Sequence, residues 1–149
     1  MSSMSSDFIL IDASNHVLGR IASIAAKQAL EGRKIVVVNA EKAVIAGRKQ
    51  RILEDAQRKL RTRTHASQEK APVHPRRPDM YFRRVIRGMI PCEKPRGKAA
   101  FRNVKVFIGV PDEYANKPLQ RFRDADASKL RCRYVTVDEF SREIRGGKP

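Results

Sequence analysis

The sequence predicts an α/β chain: three layers, α/β/α, around a mainly parallel sheet of about four strands, with a basic loop-and-helix insertion. Two observations give the sheet. Phe8-Ile9-Leu10-Ile11 and Ile35-Val36-Val37-Val38 are short uninterrupted apolar runs, the mark of strands covered on both faces. Between them, apolar residues recur at helical spacing, so strand, helix and strand make a βαβ unit with a right-handed crossover. The third observation gives the insertion. Eighteen of the 32 lysines and arginines fall between Arg48 and Lys105 against five acidic residues, so this segment carries net +13 of the chain's +16. With 149 residues and 41% apolar content, the chain fits one domain, 1–149, provided the cationic segment mostly lies outside the core.

The first helix follows Ser14 or Asn15 as cap, carries Val17, Leu18, Ile21, Ile24 and Ala25 on one face, and stops at Gly32, where a left-handed residue ends a helix well. Gly19 within it costs about 1 kcal/mol relative to alanine, which is explained either by close approach of another backbone or by a later helix start. Ala43 to Gly47 reads as a strand or an extended link. From Arg48 a second helix presents Ile52, Leu53, Ala56 and Leu60 to the sheet and its cations to solvent. Residues 64–78 contain three prolines and no apolar periodicity, and form an extended basic loop. Such loops are uncommon in compact domains and usually functional.

The third helix is the clearest. Asp79 is its expected cap, Phe82, Val85, Ile86 and Met89 share one sector, and Arg83, Arg84 and Arg87 lie opposite. Pro91 ends it. Cys92 to Gly97 reads as a turn, a short helix spans Lys98 to Arg102, and Val104 to Ile108 is a strand closed by Gly109. No regular structure is assigned to residues 111–133. Tyr134 to Val137 reads as an edge strand or an extended segment, and Thr136-Val137-Asp138-Glu139 has capping-box spacing for a last helix carrying Phe140 and Ile144. Residues 1–6 are expected to be a flexible N-terminus.

So much like charge in one segment opposes compaction unless a polyanion faces it, and nucleic acid phosphate is the commonest such partner. A membrane is not indicated. The chain has no run of about eighteen apolar residues, no Trp to anchor an amphipathic helix, and a start without the n- and h-regions of a signal peptide, so a cytoplasmic location is expected. Cys92 and Cys132 lack zinc-site spacing and are expected to be free thiols. His16, His65 and His74 are not spaced as metal ligands, and His65 and His74 are expected to donate hydrogen bonds or stack within the loop. No GxSxG, phosphate-loop or dinucleotide motif occurs, so catalytic residues, metal, cofactor and small-molecule substrate are all expected to be absent.

The expected RNA-contact set is Arg48, Lys49, Arg61, Arg63, Arg76, Arg77, Arg83, Arg84, Arg87, Gly88, Lys94, Arg96, Gly97 and Lys98. The expectation is that Arg83, Arg84 and Arg87 lack the i,i+4 acidic partners that a self-stabilising surface helix uses. Arginine also suits the task by its bidentate fork. Gly88 and Gly97 are expected at a close backbone approach to RNA or at a turn, and Met89 in the core.

Val85-Ile86-Arg87-Gly88-Met89-Ile90-Pro91, then Lys94-Pro95-Arg96-Gly97 and Lys105-Val106-Phe107-Ile108-Gly109, resemble the family of the thirteenth protein of the large ribosomal subunit. Ile11-Asp12-Ala13, Leu18-Gly19-Arg20, Val37-Val38-Asn39-Ala40-Glu41 and Ala46-Gly47 extend the resemblance to roughly residues 7 to 110. The segment from Pro72 to Pro78 and the end from Val135 to Phe140 resemble its archaeal branch, without the extra C-terminal helix of eukaryotic members. The resemblance implies a structural, non-enzymatic protein bound to large-subunit ribosomal RNA beside neighbouring large-subunit proteins, holding RNA helices together during assembly. Residues 111–133 fit the pattern least. Two other readings stay open: an α/β enzyme acting on nucleotides or RNA, which single acid or histidine substitutions would inactivate, and a free messenger-RNA-binding regulator, which would be absent from large subunits.

Overall fold

The computed structural model describes residues 8–62 and 64–146; residues 1–6 and Arg63 lie outside the described set. Strands β1 (Phe8–Asp12), β2 (Lys34–Val38) and β4 (Val104–Val106) form the main sheet in the order β1-β2-β4, all parallel. Helix α1 (Leu18–Leu30) joins the first two. Strands β3 (Val44–Ala46) and β5 (Tyr134–Thr136) make a separate antiparallel pair, so the parallel sheet has three strands, and the two short ones expected near it stand apart.

Alternation along the strands explains the layering. Ile11, Ile35, Val37 and Val104 point to one side and share a core cluster with α1, α3 (Pro78–Met89) and α4 (Pro95–Arg102), through Ile21, Ala25, Phe82, Ile86 and Ala100. Both parallel connections step across the sheet in the same direction, and a common right-handed crossover therefore puts their helices on the same face. The opposite face, Leu10, Val36 and Val38, is covered by Phe8, Phe107 and Tyr114 from the edge and from a 3-10 turn at Asp112–Tyr114. The second outer layer is thus thin.

Two local expectations change and one alternative is resolved. Neither Ser14 nor Asn15 caps α1: Asn15 is left-handed, with φ 56°, and Val17 is the cap residue, fixed by its N–H bond to the Ala125 carbonyl at 2.7 Å. Gly19 has open space where a Cβ would project, so the later helix start accounts for it. Helix α2 (Lys49–Arg61) buries none of its residues and lies against α5 (Val137–Ile144) rather than on the main sheet. Gly32 does stop α1, with φ 89°.

Residues 111–133 hold three 3-10 turns and are tied to the body by polar bonds. His16 is buried; its Nε2 accepts from the Phe122 N–H at 3.2 Å, which leaves Nδ1 to donate to the Ser14 carbonyl at 2.7 Å. Asp12 is also buried, and accepts from Asn39 Nδ2 at 2.9 Å, the Ser14 N–H at 3.0 Å and Arg121 Nε at 3.1 Å. Burial pushes its carboxyl up, but the bonds from Asn39 and Ser14 and the Arg121 charge outweigh this and hold it below the usual carboxylate range. A depressed folded-state pKa contributes stability above the unfolded value, near 4, that is lost as pH falls through the folded value. We therefore expect Asp12→Ala to cost about 1–3 kcal/mol at pH 7 by leaving its donors unpaired. The loss should shrink on acidification towards pH 3 in denaturant titrations, and a loss that stays constant with pH would exclude a carboxylate origin.

Candidate nucleic-acid interface

The cationic segment becomes a surface through the way two prolines start two helices. Pro78 is the first residue of α3 and Pro95 of α4, positions where a fixed φ and a missing N–H cost nothing. Asp79 accordingly falls inside the first turn of α3 instead of capping it, and Arg77 is the extended cap residue. Phe82 and Ile86 are buried against the core, which turns Arg83, Arg84 and Arg87 outward. On α4, Gly97 and Ala100 are buried, which leaves Lys98 and Arg102 facing α3.

The result is a groove of about 640 Å³ whose cations are Arg76, Arg77, Arg83, Arg84, Arg87, Lys98 and Arg102. Its remaining lining is Val73, Pro75, Met80, Cys92 and Phe101, with no acidic residue. The loop is laid along the helix by Arg84, whose Nη2 donates to the Val73 carbonyl at 2.8 Å. Val73 and Met80 are 78% and 50% exposed, so this floor is open to a ligand. Arg83 places its guanidinium 4.6 Å from the centroid of Phe101, a cation–π contact, while its Nε is buried without a hydrogen-bond partner. Asp79 does stand four residues before Arg83, but its Oδ2 accepts from Arg77 Nη2 at 3.2 Å. Among the described residues, Arg77 alone of the seven cations forms an ion pair.

Of the residues singled out in the sequence, Arg76, Arg77, Arg83, Arg84, Arg87 and Lys98 converge here. Lys94 and Arg96 are exposed at the entrance to α4, and Arg48 and Arg61 at the two ends of α2. Lys49 and Gly97 stand apart from these. Lys49 is engaged within the protein, donating to Glu139 Oε1 at 2.7 Å and lying 3.0 Å from Glu143 Oε1; hydrogen bonds to those carboxylates raise its pKa above the ordinary lysine value. It ties α2 to α5. This also explains why only half of the expected capping box forms: Thr136 Oγ1 accepts from the Glu139 N–H at 3.3 Å, while the Glu139 carboxylate is taken by Lys49. Gly97 is neither a turn nor an open approach: it lies within α4, and a Cβ there would sit 1.9 Å from the Pro91 carbonyl oxygen. Gly88, by contrast, is exposed, with open space at its Cβ position.

Met89 is 42% exposed and is not a core residue, because α3 ends there and the chain turns away at Ile90. Arg102 was not singled out, although its position four residues after Lys98 puts both on one helical face. His74 is half-buried with Nε2 unpartnered, and His65 is exposed. Among the described residues no cluster of three or more His, Cys, Asp or Glu could hold a metal ion, and no helix is long and apolar enough to cross a membrane. We expect Lys49→Met to leave RNA affinity within twofold and to change stability little, as is usual for exposed pairs; a tenfold affinity loss would return Lys49 to the interface.

Comparison with known proteins gives one consistent result. The family model described as Ribosomal protein L13 matches residues 6–113. The chain is 43% identical over 146 residues to large ribosomal subunit protein uL13 of Archaeoglobus fulgidus, covering 97% of this chain and 92% of the relative. It is 44% identical over 141 residues to the protein of the same name from Methanopyrus kandleri, covering 93% and 87%. With that of Sulfurisphaera tokodaii it shares 40% identity over 144 residues, covering 96% and 98%.

Proposed function

The chain belongs to the ribosomal protein L13 family, and on that premise we propose that it is a structural, non-enzymatic constituent of the large ribosomal subunit. It works in the cytoplasm, binds large-subunit ribosomal RNA and helps to organise it during assembly, beside neighbouring large-subunit proteins. The observation that supports RNA binding most is the groove between the loop, α3 and α4, where seven cations meet and no carboxylate lines the walls.

Each cation that neutralises a phosphate releases condensed counterions to bulk, and so lowers the free energy of crowding RNA strands together. Arginine dominates the groove, and its fork grips two phosphate oxygens at once. The proposed contact set is therefore Arg76, Arg77, Arg83, Arg84, Arg87, Lys98 and Arg102, with Lys94, Arg96, Arg48 and Arg61 as outlying phosphate contacts and Gly88 as a point of close approach. Sedimentation of cell extract in low-salt gradients tests the role: the protein should travel with the large subunit and its precursors. Recovery solely in light fractions with messenger RNA would overturn it.

A further inference from the structure

The groove is more apolar than phosphate binding requires. A duplex offers side chains its phosphates, riboses and a shallow minor groove while its base faces stay stacked inside, and so would leave the exposed apolar floor of Val73 and Met80 without a partner. An unpaired nucleotide carries phosphate and a flat apolar base on one unit. The volume of about 640 Å³ falls in the roughly 300–1,000 Å³ range of pockets that enclose small ligands, a scale matched by one or two nucleotides and not by a double helix.

The side-chain arrangement fits that ligand. Arg83 is held by stacking on Phe101, at 4.6 Å, with no hydrogen bond or ion pair to the described residues. A planar cation held against an aromatic ring is a platform on which a base can stack, as in proteins that bind single strands. Arg84 donates to the Val73 carbonyl at 2.8 Å, which holds an exposed apolar side chain on the floor of the same groove.

We infer that this groove receives unpaired nucleotides of RNA, with phosphates on the arginine rim and bases on the Arg83 platform and the Val73 and Met80 floor. The inference rests on the RNA-binding reading above and specifies the form of RNA bound. Two variants separate floor from rim: Met80→Gln and Val73→Gln, both at exposed positions. Affinities for a twelve-nucleotide single strand and for the twelve-base-pair duplex of the same sequence are read by fluorescence anisotropy at several salt concentrations.

The wild type should prefer the single strand, and each variant should lose on the order of tenfold for it while its duplex affinity and salt slope stay unchanged. Iodoacetamide labelling gives an independent readout, since Cys92 lines the groove: the single strand should slow labelling of Cys92 more than the duplex does. Duplex bound as tightly as single strand, with both variants neutral, overturns the inference and leaves RNA binding standing. Failure of both RNAs to bind overturns the inference and the RNA-binding reading together. Tighter binding of an acidic, aromatic-containing peptide, displaced by neither RNA, overturns the inference in favour of a protein occupant.

Discussion

Replacing Arg76, Arg87 and Lys98 together with glutamine should lower RNA affinity on the order of a hundredfold near 0.15 M salt and flatten the plot of log affinity against log salt by about two units. These three are chosen because their side chains have no hydrogen-bond or ion-pair partner among the described residues, whereas Arg84 positions the loop and Arg83 is stacked on Phe101. Each lost phosphate contact removes about 0.7–0.9 of slope, and three such contacts near 0.15 M give the stated loss of affinity. The fold should be unchanged, because all three side chains are exposed and exposed substitutions away from caps and cores stay within about 0.5 kcal/mol. A variant with intact far-ultraviolet dichroism and an unaltered slope would remove these cations from the interface.

Gly97→Ala should be the most damaging single substitution of a small residue in the chain. The added Cβ would meet the Pro91 carbonyl oxygen at 1.9 Å and its carbon at 2.4 Å. Both are backbone atoms, so no side-chain rotation relieves the overlap and α4 must move off the Pro91–Cys92 turn. Overpacking of this severity costs about 3 kcal/mol, or a fall in Tm of roughly 6–12 °C for a domain of this size. Because Lys98, Phe101 and Arg102 ride on α4, RNA affinity should fall with it. Gly88→Ala is the matched control: with open space at that position and a better helix former in place, it should raise stability by up to about 1 kcal/mol. A Tm for Gly97→Ala within 2 °C of the wild type would show that the helix and the turn are not locked together.

What could be read from the sequence was whatever local pattern decides. The βαβ unit, the Gly32 stop, the sector of Phe82, Val85 and Ile86, and the Thr136 cap all follow from spacing within one element or between elements adjacent in the chain. What depended on remote partners could not. Ala46 pairs with Tyr134, and nothing local to Ala43–Gly47 announces that match. The apolar stripe of α2 was visible, but its neighbour α5 was not. Residues 111–133 lack periodicity because their 3-10 turns are held by remote bonds, such as Phe122 to His16 and Arg121 to Asp12. In the site, the charge excess announced the interface, but not which cations are free. Lys49 and Arg87 look alike in sequence, and only the proximity of Glu139 and Glu143 to the first separates them. The apolar floor was equally hidden, since Val73, Met80 and Phe101 come from three elements and meet only after α3 and α4 have docked.

Ultraviolet crosslinking of the protein to large-subunit ribosomal RNA in intact subunits, with crosslinked residues identified by mass spectrometry, addresses the groove most directly. Crosslinks should concentrate in residues 73–87 and 92–102, with Phe101 and Cys92 among them. Crosslinks confined to α2 and to residues 111–133, with none from the groove, would contradict its assignment as the RNA-binding surface.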